Sequence, residues 1–470
     1  MTPNEMPTLL TRRNFLGRSA CSAMSTTCLL NTILTLRHMN AQAADVLAPG
    51  TPYKAIVCVF LYGGNDSNNL LMPRESSAHA KYAASRTVLT IPQANILALN
   101  TLNDNGLNLG LHPSMTGCRD LYNQGKLALM SNVGTLIAPA TLQDYHNRTA
   151  AIPDNLFSHS DQQVQWQTSA STMNAAYNQT GWGARMAEAL VGTQERTSVS
   201  MLVSLSGTNF FQVGKTMLPF RPGPGGTPVF RLGQGSSSQD VSRYTAFRNI
   251  LNAEYANLME DAFADLSNKS IIEADTINAA LQGTSNFPTI PANNDLGEQL
   301  RTVAKMIQAQ GPLGITRQIF FVATGGFDTH GPQLDDHAGL LGRVSAAMKG
   351  FQDGLESIGM GDSVTSFTAS DFNRTYDSNG RGSDHGWGGH HLIMGGGVNG
   401  QKVYGSFPDP DITVAGNPLD TGRGRWVPTT AVDQYAATMA KWFGLSDSQI
   451  RDVFPNILNF DANLGFMKAA

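Results

Sequence analysis

Residues Arg317–Gly331, RQIFFVATGGFDTHG, decide how the rest of the chain is read. The run Arg317–Thr324 has strand length and shows no polar face. A strand apolar on both sides belongs in the middle of a parallel sheet covered by helices. It breaks at Gly325-Gly326 and delivers Asp328, with His330 two residues on. In an extended loop, residues at i and i+2 project the same way, so Asp328 and His330 can hold one cation together. The same logic opens the chain. Ala55–Tyr62, AIVCVFLY, runs into Gly63-Gly64-Asn65-Asp66. The alternative for Asp66 is a helix N-cap or an Asx-turn.

A third strand, Val364–Ala369, leads to Asp371 and a glycine-threaded loop. That loop holds Asp384, His385, His390 and His391 before the apolar run Leu392–Met394. Carboxylate oxygen and neutral imidazole are standard ligands for divalent metals, and glycine lets a loop turn tightly enough to aim several at one point. In a parallel sheet the carboxyl ends of strands share one edge, where ligands gather. Three apolar strands that each end in an acid therefore predict one site built from distant segments.

Outward from these strands the chain keeps a strand–helix rhythm. Lys126–Gly134 and Val199–Leu205 read as further strands. Helices are predicted near Ser76–Ala84, Ser114–Gln124, Gly181–Val191, Leu296–Gln310, Asp335–Ile358 and Thr430–Phe443. The fold class is α/β: three layers, a mostly parallel sheet and helices on both faces. Residues 206–295 read as a helical cap or insertion within one domain, 44–470.

Phe157-Ser158-His159-Ser160-Asp161 precedes a helical pattern that runs through Trp166. A serine at a helix N-terminus commonly caps it, but the free N–H groups there also favour an anionic group beside a nucleophile. His159 has three readings: ligand, base or satisfied histidine.

Composition narrows the function classes. The 470 residues are 14% charged with a net charge of −4, and no basic patch stands out, so nucleic acid is not an expected partner. Thr11-Arg12-Arg13-Asn14-Phe15-Leu16 reads as a twin-arginine export motif, followed by a weakly apolar segment and Ala41-Gln42-Ala43 as a cleavage signature. Residues 1–43 are expected to be a removed signal, too polar for a stable membrane span. The mature chain would be periplasmic or secreted, with the twin-arginine translocase as its export partner. Cys58 and Cys118 remain in it, either as one disulfide or as buried thiols.

The loops GGND (63–66), GGFDTH (325–330), SDFNRT (370–375), DHGWGGHH (384–391) and GGGVNGQKVYG (395–405), with FPN (454–456), carry a family resemblance. The chain resembles the exported bacterial family called domain of unknown function 1501, placed in the alkaline-phosphatase-like superfamily with sulfatases and cofactor-independent phosphoglycerate mutases. The resemblance implies an alkaline-phosphatase-like fold and a metal-dependent hydrolase of phosphate or related oxyanion esters, small or polymeric. It implies one or two divalent cations, zinc first, with magnesium, manganese or calcium as alternatives. Asp66, Asp328, His330, Asp371 and His385 would be ligands, with Asp384, His390 and His391 as supplements. Ser158 would be the nucleophile and Ser160 the second choice. Arg374, just past Asp371, reads from its own chemistry either as a fork on the oxyanion or as a surface salt bridge. Two departures stand out. Phe372 follows Asp371 where the superfamily has a histidine, and a single residue separates Asp328 from His330, so His337 is a candidate for the longer reach. The competing expectation is a non-catalytic secreted protein that uses the fold for assembly or for surface-polymer association.

Overall fold

The computed structural model describes residues 52–469 apart from 104–107, 171–178, 191–198, 223–236 and 415. The expected export segment, residues 1–43, lies outside the described residues. In chain order the strands are β1 (Lys54–Leu61), β2 (Leu71–Pro73), β3 (Leu97–Ala98), β4 (Leu109–Leu111), β5 (Leu127–Gly134), β6 (Leu202–Ser204), β7 (Arg317–Thr324), β8 (Val364–Ser370), β9 (Gly389–Met394), β10 (Val403–Tyr404) and β11 (Thr430–Ala431).

The large sheet has the order β10-β5-β9-β8-β1-β7-β6, with β11 also on β5, while β2, β4 and β3 form a small antiparallel sheet. In the large sheet β9 runs antiparallel to both β5 and β8. The other ladders are parallel. The architecture is thus α/β with a mixed, mostly parallel sheet.

The unbroken apolar character of β1 has a direct cause. Ala55, Val57, Val59 and Leu61 face one core, with Leu300, Val303, Leu341 and Val344 of the helices Asp295–Gln308 and Gln333–Ser357. Ile56, Cys58 and Phe60 face the other, with Trp182 and Met186 of the helix Trp182–Ala189 and Tyr435 and Met439 of the helix Val432–Phe443. Successive side chains of a strand point to opposite faces, so both must be apolar when helices cover both. Cys58 and Cys118 belong to these opposite cores and are free thiols, so the disulfide alternative fails for want of proximity.

Within residues 206–295, the helices Ser238–Leu251 and Leu258–Leu281 pack on each other through Leu251, Ala264 and Ile271. Ile277 ties the second of them to the main core. No helix among the described residues is long and apolar enough to cross a membrane.

Register positions the site. Leu61 at the end of β1 pairs with Thr324 at the end of β7 and with Ser370 at the end of β8. All three strands therefore release their loops at one level of one edge. Gly63 and Gly64 make the close approach of those loops possible. Both have positive φ, 113° and 80°. A Cβ on Gly63 would lie 2.4 Å from the Asp328 backbone N, and one on Gly64 would lie 2.3 Å from the Phe372 ring. Only glycine meets both demands.

Candidate metal centre

Asp328 stands at the middle of the edge. Its Oδ1 lies 2.9 Å from His330 Nε2, 3.4 Å from His385 Nε2 and 2.9 Å from Arg374 Nη1, and its Oδ2 lies 3.5 Å from His159 Nε2. His159 is the first residue of the helix His159–Thr168. His330 follows β7 and His385 lies in the loop before β9, so the three imidazoles come from three parts of the chain.

Each ring has its Nδ1 committed to an acceptor. His159 Nδ1 faces Asp371 Oδ2 at 2.7 Å, His330 Nδ1 faces Asp384 Oδ1 at 3.1 Å, and His385 Nδ1 faces the Phe157 carbonyl at 2.7 Å. With the ring hydrogen placed on Nδ1 by these acceptors, Nε2 of each ring is the atom turned toward Asp328. This is how carboxylates and carbonyls orient histidines that bind metal. Phe157 has φ 73°, unusual for a bulky residue, which directs its carbonyl at His385.

The inward-facing atoms are crowded. His330 Nε2 and His385 Nε2 are 3.1 Å apart. Two lone pairs at that separation, beside a carboxylate oxygen, repel unless protons or a cation lie among them. His159 Nε2 is buried and makes no hydrogen bond. Ligand atoms of His159, Asp328 and His385 all fall within 4.8 Å of one another. Four ligands held tetrahedrally at about 2.0–2.1 Å would be about 3.3 Å apart. The separations of 2.9–3.5 Å around Asp328 bracket that edge. The donor set, imidazole nitrogen with carboxylate oxygen, fits a divalent metal of the zinc type.

The surrounding charges keep the acids ionised. Burial works to raise the Asp328 carboxyl, but Arg374 outweighs it and the net shift is downward. For Asp384, burial again opposes, and Arg423 with Asn379 brings the carboxyl down to about 2. Burial lowers the His385 pKa, against the Phe157 carbonyl that raises it, which favours the neutral ring a metal needs.

Several expected residues stand elsewhere. Asp66 is wholly buried, and its Oδ2 is taken by Arg86 and by Gln333. Its Oδ1 is buried without a hydrogen-bond partner, but Asp66 is not among the His159, Asp328 and His385 atoms that gather at the edge; its observed role is ion-pair partner of Arg86. Asp371 accepts from Gly63 N through Oδ1 and from His159 and Gln163 through Oδ2. Asp384 divides its oxygens between His330 and Arg423. Both stand behind histidines and orient them. His390 and His391 belong to β9, which begins at Gly389, and both are buried. His390 stacks on Phe407 and accepts from Asn132 N, while His391 packs against Trp166. Burial lowers both to about 3, and neither joins the cluster. His337 bonds Asn65 Oδ1 instead of the cluster.

Arg374 is also not an open fork. Its Nε and Nη2 go to the Ser383 carbonyl, and its Nη1 goes to Asp328 and the Gly63 carbonyl. Ser158 occupies the N-cap position without capping any N–H; its Oγ donates to Asp161 Oδ2 at 2.5 Å and contacts Ser160 Oγ at 3.2 Å.

His159 and Phe372 gained roles that the sequence left open. Asp371 is followed by Phe372, and its histidine partner arrives from 212 residues earlier. Phe372 stacks on His385, with ring centroids 4.6 Å apart, and lies 4.8 Å from the His159 ring. It forms an apolar wall that holds both rings.

Sheet, edge and donor set together define an α/β protein with a histidine–carboxylate centre at the carboxyl ends of its parallel strands. The chain belongs to the family described as Protein of unknown function (DUF1501), whose sequence model matches residues 53–450. No curated protein matches the chain.

Proposed function

We propose that this chain is an exported, metal-dependent hydrolase of phosphate or related oxyanion esters, on an alkaline-phosphatase-like variant of the α/β fold. One observation carries the reading: three imidazoles have their Nδ1 committed outward and their Nε2 turned on a single carboxylate, Asp328. His159, Asp328 and His385 would hold a divalent cation, with His330 beside them. When bound, such a cation supplies Lewis acidity toward an ester oxygen.

The chain's own groups do the rest. Asp371 and Asp384 fix the ring orientations, and Phe372 excludes water from one side of the rings. Ser158, one residue before His159, offers the attacking oxygen, and Asp161 already accepts its hydrogen. The cysteine or serine sulfatase stretch C/S-x-P-S-R is absent from the sequence, which disfavours a formylglycine sulfatase.

The test is elemental analysis of protein recovered from the periplasm, followed by assay on aryl phosphate, aryl sulfate and phosphodiester. The reading expects bound metal and turnover of at least one ester that falls at least 100-fold in Ser158→Ala. Metal without turnover would support the competing reading, a secreted assembly or surface-polymer protein. No metal would remove the hydrolase reading altogether.

A further inference from the structure

We propose that Arg425 is the anion-binding residue of this centre, gripping two oxygens of a phosphate or sulfate group. The proposal rests on the metal-dependent reading above. The carboxylates Asp328, Asp371 and Asp384 surround the centre, so an oxyanion needs compensating positive charge there besides a metal. Arg374 cannot supply it, because every one of its nitrogens is engaged. Arg423 is committed to Asp384 and Asp377.

Arg425 is placed differently. Its Nε donates to the His385 carbonyl at 2.8 Å, and its guanidinium stacks on the Phe157 ring at 4.9 Å. Those two residues are themselves joined by the bond from His385 Nδ1 to the Phe157 carbonyl. The Arg425 carbonyl accepts from both Thr421 N and Thr421 Oγ1, so the main chain is pinned too. Nη1 and Nη2 make no hydrogen bond to any described residue. The side chain is half-buried. A planar fork held at its stem, with both terminal nitrogens unspent, is preorganised for a bidentate oxyanion. Its stem is thus tied to the main chain of the residue whose ring faces Asp328. Arg425 would therefore select tetrahedral oxyanion esters over neutral esters at the same centre.

The test is calorimetric titration of inorganic phosphate, with sulfate in a parallel arm, into zinc-loaded wild type, Arg425→Gln and Arg425→Lys. Zinc content and thermal unfolding are measured on each protein. Loss of a charge-assisted fork weakens phosphate by about 10–100-fold in Arg425→Gln, with zinc content unchanged. Arg425→Lys keeps the charge and loses the fork, so it falls between, and it decides the matter if the glutamine variant does not fold. Tighter phosphate than sulfate identifies a phosphoryl site, and the reverse a sulfuryl site. Equal phosphate affinity in folded wild type and Arg425→Gln overturns the proposal, as does no binding of either anion by zinc-loaded wild type. Should wild type take up no zinc, the metal reading fails by itself. The same titrations on metal-free protein then judge Arg425: an affinity lost in Arg425→Gln upholds it, and any other result overturns it.

Discussion

Two neighbouring regions at the end of β1 and β7 contain the same chemical groups and use them in opposite ways. Around Asp66 the acid, guanidinium and histidines are all buried; one acid oxygen is held, and the other, Oδ1, has no hydrogen-bond partner. Arg86 and Gln333 take the carboxylate, Ser383 Oγ donates to Gln333 at 2.5 Å, and His337 meets Asn65. Around Asp328 the acid is half exposed, His159 Nε2 has no hydrogen-bond partner, and His330 Nε2 and His385 Nε2 meet at 3.1 Å beside the carboxylate. Residue type does not separate the two regions. What separates them is exposure: the Asp66 and Arg86 side chains are closed off from solvent, and those of Asp328 and His330 are open to it. The first region is a buried clamp, and the second is the partly exposed cluster to which the proposed cation is assigned.

The largest effect should come from breaking the clamp. Asp66→Ala leaves the buried Arg86 charge unpaired, and one-sided loss of such a pair costs about 3–5 kcal/mol. Urea denaturation measures it, and zinc bound per folded molecule should not change. A variant that kept its stability but lost zinc would reverse the roles assigned to the two regions.

Next comes acid sensitivity. Burial lowers His112 to about 4 and His337, His390 and His391 to about 3. The unfolded chain protonates these rings near 6.5, the folded chain only far lower. The unfolded state therefore binds more protons as pH falls from about 6.5 toward 4, and stability is lost over that window. Each ring contributes about 1.4 kcal/mol per pH unit once its unfolded form is charged. His391→Phe should flatten the stability–pH slope by about that amount while leaving zinc uptake intact. An unchanged slope would mean that His391 is charged in the fold.

A smaller effect is expected behind the centre. Asp384→Ala removes the acceptor that orients His330 and should weaken zinc by about 10–100-fold. Competition against a chelator of known affinity measures it. Wild-type affinity would show that His330 stands outside the centre.

The contrast also explains what could be read from the sequence. The strand ends were legible because β1 and β7 are largely apolar on both faces, β8 carries Val364, Phe367 and Ala369 in a short β-prone run, and all three stop at glycine or just before an acid. Asp328, His330 and His385 were legible for the same reason, since the parallel register Leu61–Thr324 and Leu61–Ser370 brings their loops together. The fate of Asp66 was not legible, because it depends on Arg86 folding back across twenty residues of chain. His390 and His391 look like loop residues beside glycine. They are strand residues because β9 starts at Gly389, and no local pattern marks that start. His159 follows a serine at a helix start, a setting shared with ordinary caps. Its role depends on Asp371, which is distant in sequence and adjacent only in the fold.

The most direct test is a zinc-edge anomalous difference map from crystals of protein incubated with zinc. The account predicts a peak about 2.0–2.2 Å from Nε2 of His159, Nε2 of His385 and an Asp328 oxygen. A map with no peak there, from crystals in which all three side chains are ordered, would contradict it.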